Sequence, residues 1–141
     1  MGIELRKMAP LLQVYDMPTS IAFYRDTLGF EVVEHSPPRP EVMFHWALLR
    51  RDGVELMLNT AYDEGQRPAS PDRVRVAAHE DTGLFFSCPD VDAMYEHLRA
   101  KGAAKAEPKD AWYGMRQLYI TDPDGYGLCF QWPAKQEART A

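Results

Sequence analysis

Four histidines, two cysteines and one hairpin carboxylate are the side chains of this sequence best suited to proton transfer, nucleophilic attack or metal binding. Their spacing argues against most of that chemistry. His35 ends a strand-like run before the loop SPPRP (36–40), and His45 sits on a strand with alternation that points it away from Glu55. His97 falls on the polar side of a helical pattern. His79 lies in a long irregular stretch, and is the exception to watch because such a stretch can fold over a cavity. No two of the four stand at ligand spacing. Cys88 and Cys129 lie inside apolar runs, which predicts reduced, buried thiols rather than a disulfide. A reactive thiolate needs a neighbouring cation or helix N-terminus, and none is evident. Ser87 and Cys88 lack a base partner, and no GxSxG, P-loop or GxGxxG is present.

The elements that must position these residues come as a half-length echo. Asp16 precedes a helical stripe of Ile21, Tyr24 and Leu28 that stops at Gly29. Asp90, 74 positions later, precedes a stripe of Val91, Met94, Tyr95 and Leu98 that stops at Gly102. Pro18-Thr19-Ser20 opens the first helix with a hydroxyl available as cap. Strand-like runs surround both helices, split by Asp52-Gly53 in one half and Asp124-Gly125 in the other. Residues 8–15, 31–35, 41–50 and 54–60 read as strands of a first unit (8–60). Residues 84–88 (LFFSC), 115–121 and 126–132 read as strands of a second (83–133), with a short strand before a loop at 107–114. A two-residue turn at Asp52-Gly53 pairs Arg50 with Glu55, Leu48 with Met57 and Trp46 with Asn59. Residues 61–82 lack periodicity and read as a lid or an inter-unit linker. Residues 134–141 read as a frayed tail. The fold class is α+β, with two βαβββ repeats of mixed strand direction in a single domain spanning 1–141, and paired copies of this kind tend to build a shared cleft.

Composition narrows the partners. A net charge of −5 argues against nucleic acid, and no long apolar stretch suggests a membrane span or a signal peptide. A cytoplasmic protein is the simplest expectation.

The segments SIAFYRDTLGFEVVE, GVELMLN and ITDPDGYGLCFQW resemble the vicinal-oxygen-chelate superfamily, also called glyoxalase/bleomycin resistance/dioxygenase proteins, over roughly residues 8–133. That resemblance implies two βαβββ units around one cavity, and a homodimer that in some members exchanges halves. It also implies up to four metal-ligand positions, a histidine on the first strand and a Glu or His on the last strand of each unit. In this chain those positions fall at Ala9, Glu55, Gly83 and Cys129, with Cys129 taken as the counterpart of Glu55. Ala9 and Gly83 have no donor side chain, so neither a metal nor a cofactor is expected.

Strand alternation from those positions puts Leu11, Gln13, Trp46, Leu48, Arg50, Met57, Asn59, Phe85, Ser87, Gly127 and Gln131 on the cavity face. Leu48, Met57 and Phe85 are equally readable as plain core. Glu55 is a ligand-binding carboxylate or a simple ion-pair partner of Arg50. The aromatic loop Trp112-Tyr113-Gly114 is a wall of the cleft, a surface packed against a dimer partner, or a cap on the hydrophobic core, and Arg116 points at Glu55 or at an anionic ligand. The ligand-binding set is therefore Trp46, Glu55, Met57, Asn59, Phe85, Trp112, Tyr113, Arg116 and Cys129. The expected function is metal-free binding of a small aromatic or cationic organic molecule by sequestration, resembling bleomycin-resistance proteins and antibiotic resistance. Two alternatives stand beside it. One is a metal-dependent lyase, isomerase or dioxygenase with a rearranged site using Glu55. The other is a cofactor-free enzyme with Glu55 as general base, which requires Glu55 to be free of Arg50.

Overall fold

Each half begins with a short strand that runs into a carboxylate-capped helix, because Asp16 and Asp90 satisfy amide groups left open at the helix starts. In the computed structural model, which describes residues 2–135, the Thr19 amide donates to Asp16 Oδ2 at 3.1 Å and the Ala93 amide donates to Asp90 Oδ1 at 3.0 Å. The cap of the first helix is thus the Asp16 carboxylate. The Thr19 hydroxyl donates to that same oxygen at 2.5 Å instead of capping the helix itself.

The chain forms two units, residues 1–72 and 73–141. The first holds β1 (Leu11–Val14), α1 (Met17–Ile21) continued as a π-helical segment (Ala22–Thr27), β2 (Glu31–His35), β3 (Trp46–Arg51) and β4 (Val54–Thr60). The second opens with α2 (Arg73–Ala78) and a 3₁₀ turn (His79–Asp81). It continues with β5 (Gly83–Ser87), α3 (Val91–Ala100), β6 (Lys109–Asp110), β7 (Met115–Thr121) and β8 (Gly127–Pro133). The sheet orders are β1-β4-β3-β2 and β5-β8-β7-β6, each with one parallel pair, β1 with β4 and β5 with β8. The α+β class with two βαβββ mixed sheets follows directly.

Alternation divides each sheet into a helix face and an open face. In unit 1, Leu12, Val14, Ala47, Leu49, Leu56 and Leu58 are buried with Ile21, Tyr24 and Leu28 of the helical segment. Tyr24 is 0% exposed and meets the Phe30 ring edge-on at 6.0 Å. In unit 2, Leu118, Ile120, Leu128 and Phe130 are buried with Val91 and Leu98 of α3. Each buried Leu, Ile, Val or Phe among these contributes about 1.5–3 kcal/mol of burial, which is why the helices lie on these faces.

The first hairpin has the register expected from its Asp-Gly turn, with Arg51 opposite Val54 and Arg50 opposite Glu55. The second does not copy it. Asp122 Oδ1 accepts from the Asp124 amide at 2.8 Å and the Tyr126 amide at 2.9 Å, which winds a wider connection and pairs Thr121 with Gly127. A two-residue turn at Asp124-Gly125 would have moved β7 by one residue, and a one-residue slip exchanges the two faces of a strand.

The stretch 61–82 also departs from expectation. Its second part is helical and clasps the DPDG connection. Arg75 Nη2 donates to the buried Asp124 carboxylate at 2.6 Å, and His79 Nδ1 donates to the Asp124 carbonyl at 2.6 Å while its ring stacks on Tyr126 at 3.9 Å. The pattern was hidden because six helical residues are too few to show a period. β6 lies inside the predicted loop 107–114. At the C-terminus, the Ala134 amide donates to the Gly114 carbonyl at 2.8 Å, so the chain is anchored there rather than frayed. Residues 136–141 of the expected tail lie outside the described residues.

Candidate functional site

The open face of each sheet gathers most of the side chains singled out by alternation. In unit 1, β1, β4 and β3 bring Leu11 beside Met57, Met57 beside Leu48, Gln13 beside Asn59, and Asn59 beside Trp46. Asn59 Nδ2 donates to Gln13 Oε1 at 3.3 Å. Glu55 is not free. Arg50 Nη2 donates to its Oε2 at 2.8 Å and Lys7 Nζ lies 3.3 Å from its Oε1. The Arg50 hydrogen bond, with that of Lys7, holds the Glu55 carboxyl below the usual glutamate range. A general base needs the opposite shift.

In unit 2 the open face carries Phe85 of β5, Cys129 and Gln131 of β8, and Gln117 and Tyr119 of β7. The Tyr113 hydroxyl donates to Gln117 Oε1 at 2.8 Å, the Tyr119 hydroxyl donates to the same oxygen at 3.4 Å, and Gln117 Nε2 donates to Gln131 Oε1 at 2.8 Å. Phe85 and Tyr119 meet edge-on at 6.3 Å, and both rings are more than half exposed. Trp112 is 95% exposed and sits edge-on to Tyr113 at 5.3 Å.

Cys129 is 1% exposed, and burial pushes its thiol up despite the opposing Tyr119 hydrogen bond. It is a neutral thiol at pH 7, as its apolar run suggested. Tyr119 is pushed up to about 12, first by desolvation of its hydroxyl and then by the hydrogen bond to Cys129.

Arg116 does not belong to this face. It lies on the helix side of β7, where Nε donates to Asp92 of α3 at 2.9 Å and Nη1 donates to Asp110 at 3.0 Å. The slipped hairpin register is the cause. Gln117 and Tyr119, absent from the sequence-derived set, take its place, and the wider DPDGY connection was the signal that would have found them.

The metal-ligand positions implied by the resemblance fit a metal poorly. Leu11 pairs with Met57 and Phe85 pairs with Cys129, so the register counterpart of Glu55 is Gly127, not Cys129. The echo spans 74 residues at the first strand but 72 at the last. Gly127 pairs with Gly83, and a Cβ on Gly83 would stand 3.0 Å from Phe85 Cε1. An aromatic ring thus lies beside the position where a histidine would be. Among the described residues, no three His, Cys, Asp or Glu side chains group as metal ligands. His45 is beside Thr60 and Glu64, and His79 beside Asp124 and Tyr126.

A recess of about 170 Å³ at the ends of β1 and β4 is lined by Tyr15, Thr60, Tyr62, Asp63 and Arg67. It is smaller than the roughly 300 Å³ at which drug-sized sites begin. Arg67 lies over the Tyr15 ring at 4.9 Å and pairs with Asp16, which ties residues 61–72 to the helix start.

The profile of the Glyoxalase/Bleomycin resistance protein/Dioxygenase superfamily matches residues 8–130. The chain belongs to this superfamily. Within it, the chain is similar to a bleomycin resistance protein of Geobacillus stearothermophilus, 32% identical over 128 residues that cover 86% of this chain and 92% of the relative. It is similar in fold to the bleomycin-binding protein of Streptomyces verticillus solved with copper(II)-bleomycin. The TM-score there is 0.65 at 20% identity, over 95% of this chain and 99% of that one. It also resembles TnmS3, an antibiotic binding protein from Streptomyces sp. CB03234, with a TM-score of 0.66 at 26% identity and the same coverage. The superfamily motif DPDGY here does structural work, since both of its carboxylates are buried in the connection and its clasp.

Proposed function

We propose that this chain binds a small planar organic molecule, of the antibiotic class that its relatives' names describe, and protects by sequestration without altering it. The observation that carries this reading is the open face of unit 2. Phe85, Tyr119 and Tyr113 form an exposed aromatic surface with fixed amides among them and no activated nucleophile or base. Such a surface binds by stacking and apolar burial, with a few polar groups setting orientation. Trp112 extends it, and Trp46, Met57 and Asn59 give unit 1 a face of similar character. Glu55 enters as a carboxylate already paired by Arg50 and Lys7.

A homodimer is part of the reading, with exchange of halves as the form the superfamily resemblance implies. Ile3, Leu5 and Met8 stand 94%, 94% and 84% exposed, and such residues are costly to leave in water unless a second copy covers them. Among the described residues no helix is long and apolar enough to cross a membrane, and neither Cys88 nor Cys129 is in a disulfide. A cytoplasmic location is part of the reading, and reduced thiols within apolar runs support it.

Calorimetric titration with bleomycin and a panel of planar aromatic drugs tests the function. Binding at micromolar affinity or tighter, followed by recovery of chemically unchanged drug from the denatured complex, is the expected result. A modified product, or no binding by any member of the panel, overturns it. Sedimentation analysis checks the dimer, which Leu5→Ser is expected to weaken.

A further inference from the structure

The polar groups of the unit 2 open face form a one-way ladder. Gln117 is 7% exposed and fully engaged on one side, its Oε1 accepting from the hydroxyls of Tyr113 and Tyr119. In this arrangement the amide oxygen faces both hydroxyls and the NH₂ end faces Gln131. Its Nε2 therefore donates to Gln131 Oε1, which in turn fixes the amide of Gln131 with Nε2 pointing onward. Gln131 Nε2 donates to nothing among the described residues, and Gln131 is half-buried in β8 beside Ser87. Two N–H donors thus stand at the edge of the platform made by Phe85 and Tyr119, oriented by the Gln117–Gln131 hydrogen bond.

Charge on this face is sparse. β5, β7 and β8 place no charged side chain there, and Lys109, opposite Gln117 at the β6 edge, adds a cation rather than an anion. A cationic ligand finds no carboxylate on this surface to offset its desolvation. A neutral aromatic molecule finds rings to stack on, and an oxygen acceptor on it finds the Gln131 donors.

Resting on the sequestration reading, we propose that Gln131 is the specificity-determining donor of this face, and that the ligand is a neutral planar aromatic carrying a carbonyl-type acceptor oxygen. Of the two ligand types raised by the sequence, this selects the aromatic one. A preorganised donor discriminates because a ligand without the acceptor leaves the half-buried N–H groups unmatched.

The test uses the full chain and four rigid probes: 9-fluorenone, fluorene, carbazole and the cation proflavine. Tryptophan quenching or calorimetry reads each affinity. The wild type is expected to bind fluorenone about tenfold more tightly than fluorene, the equivalent of one neutral hydrogen bond of about 1.4 kcal/mol. Carbazole, which offers a donor instead, and proflavine are expected to be no better than fluorene. In Gln131→Met the fluorenone preference is expected to vanish while fluorene affinity is kept. Gln131→Glu keeps the oxygen that Gln117 Nε2 needs but removes the donors, and is expected to shift the preference to carbazole. A fluorenone preference that survives both variants, or a wild type that ranks carbazole or proflavine first, overturns the assignment of Gln131 and leaves sequestration standing. Absence of binding by all four planar probes overturns the sequestration reading at this face, and the assignment with it.

Discussion

Replacing Trp112 by alanine separates ligand binding from folding. The indole is 95% exposed and its one ring contact among the described residues is the edge-on approach to Tyr113 at 5.3 Å, so the folded state loses little when it is removed. Surface substitutions of this kind change stability by about 0.5 kcal/mol or less. Binding is different. A Trp ring that closes on a planar ligand covers roughly 100 Å² of its own apolar surface, about half of what such a ring can bury. At about 25 cal/mol per Å² that is about 2.5 kcal/mol. Immobilising the side chain costs about 0.5–1 kcal/mol, leaving roughly 1.5–2 kcal/mol. Trp112→Ala should therefore weaken binding of a planar drug about 10- to 30-fold while the melting temperature stays within about 2 °C. Titration calorimetry and thermal unfolding on the same sample make the comparison. Unchanged affinity would exclude Trp112 from the ligand wall. A melting temperature lowered by 5 °C or more would instead assign the loop a structural capping role.

Three further perturbations test other parts of the structure. Gly125 has φ +88°, and a Cβ there would lie 2.5 Å from the Val76 carbonyl oxygen, so Gly125→Ala is expected to cost about 2–5 kcal/mol from strained backbone and displacement of α2. Thermal unfolding reads this as a fall of about 8 °C or more, and a fall under 2 °C would show that residues 73–81 do not clasp the connection. Glu55→Gln removes an ion-paired carboxylate without opening the face and is expected to leave drug affinity within about twofold, whereas a tenfold loss in the same calorimetric titration would make Glu55 a direct ligand contact. Cys129 and Tyr119 both titrate higher in the folded than in the unfolded chain, Tyr119 at about 12. Their stabilisation is complete below the unfolded values, near 9 and 10, and is lost as pH rises through the folded ones, so unfolding free energy should fall steadily above pH 9. NMR titration of the Tyr119 ring with a midpoint near 10 would contradict this.

The duplicated scaffold was readable because its signals are local. Asp16 and Asp90 announce helices, Gly29 and Gly102 stop them, and Asp52-Gly53 gives a hairpin register that holds at every pair from Arg51–Val54 to Trp46–Asn59. Alternation within those strands then assigned Trp46, Met57, Asn59, Phe85 and Cys129 to open faces correctly. What escaped was set by contacts distant in sequence. α2 is seated by Arg75 and His79 reaching Asp124, 49 and 45 residues away, and neither interaction leaves a periodic trace in the chain.

The second hairpin shows how a small local difference redistributes chemistry between two copies of one unit. Asp122 holds two backbone amides and thereby widens the connection. The wider connection moves β7 by one residue relative to a copy of the first hairpin, and this turns Arg116 to the helix face while presenting Gln117 and Tyr119 on the open one. Arg116 then neutralises Asp92 and Asp110 on the helix side. At the positions of the unit 1 Arg50–Glu55 pair, unit 2 carries Thr121 and Gly127, so its open face has rings and amides without an ion pair. Cys129 lies beside Phe85 of β5 and Tyr119 of β7, so the thiol is buried floor for an aromatic platform. An insertion or deletion of one residue at Pro123 should therefore be more damaging to ligand binding than any single side-chain change on this face. It would return Arg116 to the platform and bury Tyr119 against α3, and binding titration of such a variant, beside a near-native circular dichroism spectrum, would distinguish register from side-chain identity as the source of specificity.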